Sequence, residues 1–167
     1  MKRTLLVILS IFAFTAVFPG DFVNRFIEKY EEFDRPLNNV NIGKTMLERM
    51  ADNTNDEELK AAFKELNSIR IVSSDNQEDS KHYFNKANEL VKESFADYEE
   101  VVSVNESMSK ISVFMKRESE EKQNLILITL DSNGAFSLIT VSGKIDFNSI
   151  SKLSGSLKDE ASMSFYK

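Results

Sequence analysis

The side chains able to do chemistry are few and widely spaced. His82 is the only histidine, and the chain holds no cysteine. Metal sites built on nitrogen or sulfur need several such ligands, and a hydrolytic triad needs a histidine set between nucleophile and carboxylate. A single histidine in the first turns of a helical stretch reads instead as an exposed structural residue. Thiol catalysis, disulfides and a lipidated cysteine are excluded by composition.

Oxygen ligands come closer to a pattern. Asp52, Thr54 and Asp56 have the spacing that opens a calcium loop, yet Glu57 stands where such a loop needs glycine and Phe63 where it closes on an acid. The segment reads as a capped turn, with Thr54 and Glu57 as a capping-box pair. Asp131, Asn133 and Asp146 offer oxygens near a predicted hairpin, and turn chemistry and helix capping account for all three. Glu99-Glu100 and Glu120-Glu121 lie at predicted strand ends and turns, where carboxylates are solvated. The serines stand outside any Gly-x-Ser-x-Gly elbow, and no glycine-rich phosphate loop occurs. These residues assign no catalytic group, no metal site and no cofactor, so the expectation is a protein that is not an enzyme.

The 167 residues divide into an address and a domain. Lys2-Arg3, the apolar run from Leu5 to Phe18 and the break at Pro19-Gly20 read as a secretory signal peptide over 1–20. A bilayer span needs about 20 apolar residues, more than this run supplies. Residues 21–155 then form one domain, and 156–167 a loose C-terminal tail. With Lys2 and Arg3 set aside, acidic residues outnumber basic ones by eight. That balance disfavours nucleic acid and anionic membrane surfaces as partners. No segment after the signal is apolar enough to cross a membrane. An exported chain without cysteine fits a bacterial periplasm.

Periodicity supplies the elements. Asp21 caps a helix with Phe22, Val23, Phe26, Ile27, Tyr30 and Phe33 at helical spacing, ended by Pro36. Residues 37–41 are a connector with room for a short extended piece, and Asn41 caps a second helix with Ile42, Met46, Leu47 and Met50 inward. A third helix carries Leu59, Ala62, Phe63 and Leu66. Ile69 to Val72 is the first firm strand, and 78–95 is the longest amphipathic helix. Such a strand–helix–strand unit predicts a right-handed parallel crossover if its strands are neighbours. Strands follow at 100–104 and 111–116, then the long pair within 123–143 that turns at Asn133-Gly134. Asp146 caps a closing helix pinned by Phe147, Ile150 and Leu153. The fold class is α+β, a mainly antiparallel sheet of about five strands with helices packed on one face. N-terminal helices precede a strand–helix–strand unit and a C-terminal β-meander.

The long pair organises the rest, and both of its faces are apolar. Ile126, Ile128, Leu130, Ile139 and Val141 alternate with Leu125, Leu127, Phe136 and Leu138. Either the first helices cover the second face, or that face binds a partner, or it pairs with a second copy. The residues expected to form an apolar sheet-face site are Phe114, Leu125, Leu127, Phe136 and Leu138.

Three segments carry a resemblance. They are Ile42-Gly43-Lys44-Thr45-Met46-Leu47, Leu66-Asn67-Ser68-Ile69-Arg70-Ile71, and Gly134-Ala135-Phe136 through Ile139 to Asp146. Together the chain resembles the family of domain of unknown function 4252, small exported proteins of Gram-negative bacteria, over about residues 22–155. The resemblance implies a shared fold and a setting beside extracytoplasmic-function sigma factors and their membrane regulators, hence envelope signalling or stress. It supplies no catalytic residue. The expected function is a periplasmic, non-enzymatic interaction or ligand-binding domain whose partner is an envelope protein or a small apolar ligand. The alternatives are a homodimer joined through an apolar sheet face and, further off, a metal-dependent hydrolase.

Overall fold

The computed structural model describes residues 21–145 apart from 33, 75 and 108. Residues 1–20, read above as a signal peptide, Phe33, and residues 146–167, where a cap at Asp146, a closing helix and a tail are expected, lie outside the described residues. Ten elements follow in order: α1 (Phe22–Tyr30), β1 (Asn38–Gly43), α2 (Lys44–Asn53), α3 (Glu57–Glu65), β2 (Leu66–Ser74), α4 (Gln77–Ser94), β3 (Glu99–Asn105), β4 (Lys110–Arg117), β5 (Gln123–Leu130) and β6 (Phe136–Gly143). The strands form a six-stranded sheet in the order β1-β2-β6-β5-β4-β3, antiparallel at every pairing.

The sixth strand lies in the stretch read as a connector. In β1, Val40 and Ile42 alternate with asparagines, an edge-strand pattern, and pair opposite Ile71 and Ile69. The second helix consequently starts at Lys44, with Gly43 rather than Asn41 at its cap. Its buried residues are Leu47, Met50 and Ala51, while Met46 points to solvent. At α3, Asp56 displaces the predicted capping box. Its Oδ1 accepts from the N–H groups of Glu58 and Leu59, and the Thr54 hydroxyl accepts from the Asp56 N–H. An aspartate beside the first turn reaches those free donors directly.

β2 and β3 run in the same direction, but β6, β5 and β4 lie between them. The parallel neighbours do not form, because β6 returns to pair with β2 at Ile69↔Val141 and Ile71↔Ile139. A strand apolar on both sides takes the middle of a sheet, where both sides can be covered. α4 therefore crosses over β6 and β5 on its way to the far edge.

Successive strand residues point to opposite faces, so the apolar alternation divides the core in two. On one face, Val72, Leu138 and Ile128 lie side by side beneath α1 and α4, packed by Phe26, Tyr83 and Leu90. On the other, Ile69, Ile71 and Leu125 pack with Leu47, Met50 and Phe63 of α2 and α3. The α+β class and the meander are as expected, but the helices flank both faces of the sheet. Covering only one face would have left the second set of apolar side chains in water.

The β5–β6 hairpin is set by Asp131 and Gly134. The Asp131 carboxylate accepts from the N–H groups of Asn133 and Ala135, each at 2.9 Å, and Gly134 takes φ +78°. Gln77 at the start of α4 donates to the Asn133 carbonyl at 2.7 Å and ties the hairpin to that helix.

Candidate functional site

The five expected recognition residues do not share a surface. Phe114, Phe136 and Leu138 point beneath α1 and α4, whereas Leu125 and Leu127 point to the α2–α3 side. Four of them are interior, with exposures of 3, 1, 0 and 2% for Phe114, Phe136, Leu138 and Leu125. Leu127 alone is half-buried. Period two sends odd and even positions apart, so a list mixing both parities cannot line one groove.

The polar candidates are placed by local structure. His82 is half-buried, with its ring edge-on to Tyr83 at 5.6 Å between centroids. Asp56 caps a helix and Asp131 holds a turn. Glu121 pairs with Lys144 at 3.4 Å. Among the described residues, no three His, Asp or Glu side chains gather as metal ligands. A shallow groove of ≈ 280 Å³ between α1 and α4 is lined by Arg25, Glu28, Lys29, Leu90 and Ser94. Its lining is mostly charged, with Leu90 the single apolar contributor.

Three partly buried polar anchors escape a reading of periodicity. Arg35 Nε pairs with the nearly buried Asp79 carboxylate at 3.1 Å, and the Tyr83 hydroxyl donates to the Arg35 carbonyl at 2.6 Å. Together they tie the loop after α1 to the first turns of α4. Arg70, on the sheet face beneath α1, pairs with Asp21 and donates to Asn24 Oδ1 at 2.8 Å. The signal for Arg70 was available, since an arginine between Ile69 and Ile71 must find partners when the strand is covered.

Tyr98 reports on this packing. Burial, and then the negative charges of Asp97, Glu118 and Asp21, push its phenol up to about 12 from an ordinary 10.0. The neutral phenol is favoured in the folded state. Its contribution to stability is therefore complete below pH 10 and is lost as pH rises towards 12. Burial raises the Tyr83 phenol as well, so an absorbance titration at alkaline pH should show late tyrosine ionisation that Tyr98→Phe reduces, together with the fall in stability over the same window. A Tyr98→Phe protein with an unchanged titration would assign the late group elsewhere.

The surface that stands out is the β3 edge. Val101 and Val102 are 40 and 44% exposed. Val102 lies beside Val113 and Leu127, and Val104 beside Ile111, all on the α2–α3 side of the sheet. Ile111, Val113 and Leu127 are half-buried, because α2 and α3 rest chiefly on β1 and β2. An apolar strip thus runs from β5 to the free edge. Glu-Glu-Val-Val-Ser-Val-Asn carried a signal for it, a β-branched run fronted by carboxylates, but not the fact that this strand lies outermost.

No curated protein and no solved structure matches the chain. The family model described as Domain of unknown function (DUF4252) matches residues 30–153, from the end of α1 through all six strands. With the fold of its three resembling segments accounted for, this chain belongs to the Domain of unknown function (DUF4252) family.

Proposed function

We propose that the protein is a non-enzymatic recognition domain of the bacterial envelope that binds a protein partner through β3 and the apolar strip beside it. The observation that carries this reading is the exposure of Val101 and Val102 on an outermost strand, continuous with the half-buried Val113 and Leu127. Adjoining apolar side chains at the edge of a sheet lose contact with water when a partner covers them. A small apolar ligand is a weaker fit, since the groove between α1 and α4 is lined mainly by charge. Envelope placement rests on the signal-like residues 1–20.

Cells expressing the full chain should hold the protein in the envelope fraction, and the protein purified from it should retain a reproducible partner from envelope extract. The double variant Val101→Ser/Val102→Ser should retain at least about tenfold less of it. Its melting point should stay within about 2 °C of the parent, because exposed substitutions change stability by a few tenths of a kcal/mol. Equal retention by parent and variant would remove β3 from the recognition surface.

A further inference from the structure

We infer that β3 is a strand-addition site, which takes an extended protein segment, apolar at alternate positions and basic between them, as a seventh strand of the sheet. The inference rests on the recognition reading above and specifies its partner.

The backbone supplies the first reason. The β3–β4 hairpin closes with the Glu106 N–H donating to the Ser109 carbonyl at 2.9 Å. Antiparallel pairs alternate between bonded and non-bonded, so Val104 and Ile111 exchange hydrogen bonds while Asn105 and Ser103 turn theirs outward. The free edge therefore presents N–H and C=O groups two residues apart, the spacing a guest strand requires.

The side chains supply the second. Val102 and Val104 point to the α2–α3 side and end the rows Val102–Val113–Leu127 and Val104–Ile111. Apolar residues at alternate positions of a guest would extend both rows. The opposite edge offers no such continuation, since the exposed positions of β1 are Asn38, Asn39, Asn41 and Gly43, and Val40 and Ile42 are half-buried.

Charge supplies the third and decides the partner. Glu99, Glu100 and Glu106 are exposed along this edge. Asp97, just before it, is already matched by Lys116 at 2.5 Å. A second copy of the chain would bring the same three carboxylates against these, whereas lysines or arginines between the apolar residues of a guest would point with Glu100 to the α1–α4 side, and those at its ends would reach Glu99 and Glu106, which flank the valine row. A register shift at Val101, between Glu100 and Val102, leaves residues 102–105 as the longest uninterrupted stretch of this edge. Bulges and edge charges guard against indiscriminate pairing, and here they reject acidic strands while admitting basic ones.

The test uses two blocked octapeptides, one alternating valine with lysine and one alternating valine with glutamate, titrated into the isotope-labelled protein. The lysine peptide should bind, shift the amide signals of Ser103 and Asn105 and slow their hydrogen exchange, while the glutamate peptide binds at least about tenfold more weakly. Ser103→Pro removes an outward donor without touching a β3–β4 bond, and should weaken binding about tenfold while Ser103→Ala stays within about twofold. The triple variant Glu99→Lys/Glu100→Lys/Glu106→Lys, with no backbone change, should reverse the preference between peptides. No binding of the lysine peptide, equal binding of both, or equal binding by Ser103→Pro would each overturn strand addition. Dimerisation through β3 that excludes the peptide would overturn it too, in favour of a second copy. Envelope-partner capture that survives Ser103→Pro but not Val101→Ser/Val102→Ser would leave the recognition reading standing and remove only this inference.

Discussion

Phe136→Ser is expected to abolish the folded state or leave it barely populated. Phe136 is 1% exposed, and its ring centre lies 5.7 Å from those of both Phe26 and Tyr83. It thus joins β6 to α1 and α4 at once. Removing a buried phenyl costs about 3–5 kcal/mol in lost transfer energy and cavity formation. A serine hydroxyl left there without a partner adds about 1–3 kcal/mol. Domains hold about 5–15 kcal/mol in total, so the urea midpoint followed by circular dichroism should fall close to zero denaturant. Leu127→Ser, at a half-buried position on the opposite face, should lose only about 1–2 kcal/mol. A Phe136→Ser protein that melted like its parent would show that the aromatic layer does not hold the helices.

The second large effect is expected at the end of β6. Gly143 has φ +140°, and a Cβ there would sit 2.6 Å from the Glu65 carbonyl oxygen and 2.7 Å from Leu66 Cα. Neither atom is free to withdraw. Leu66 is the strand partner of Gly143, and the Glu65 carbonyl accepts from the Lys144 N–H at 3.0 Å. Gly143→Ala should therefore cost about 2–4 kcal/mol from strain and overpacking together. Gly134→Ala is the comparison, because its φ of +78° is also left-handed but its nearest neighbour is the flexible Gln77 side chain at 3.0 Å. That change should cost about 1–2 kcal/mol. Equal losses in thermal melts of the two variants would mean that backbone strain alone matters and the close approach at Gly143 does not.

Much of the fold was legible because it rests on local periodicity. The stripe of Tyr83, Phe84, Ala87, Leu90 and Val91 identifies α4 to within a residue or two of its ends. The alternation of Ile111, Val113 and Met115 with Ser112, Phe114 and Lys116 identifies β4, and Asn133-Gly134 marks the hairpin. The asparagines at the outer positions of β1 leave its sequence consistent with a connector or a short extended piece, and only its pairing with β2 makes it a strand. The site was much less legible. Phe114 and Leu138 carry the right chemistry for an apolar surface, but helices cover them, and no helix boundary tells which face another helix will take.

The amino-acid order by itself determined every element but β1, the class of the fold, the two-sided apolar character of β5 and β6, and the presence of one histidine and no cysteine. Those properties follow from composition and from periods of 3.6 and 2, which each segment expresses alone. Tertiary structure decided the rest. It placed β6 beside β2, divided the helices between the two faces, set Arg70 with Asp21, and left Glu99 to Asn105 as the outermost strand. These outcomes depend on contacts between segments far apart in the chain. Val102 is apolar whether it is buried or at an edge, and only the order of strands decides whether it meets protein or water.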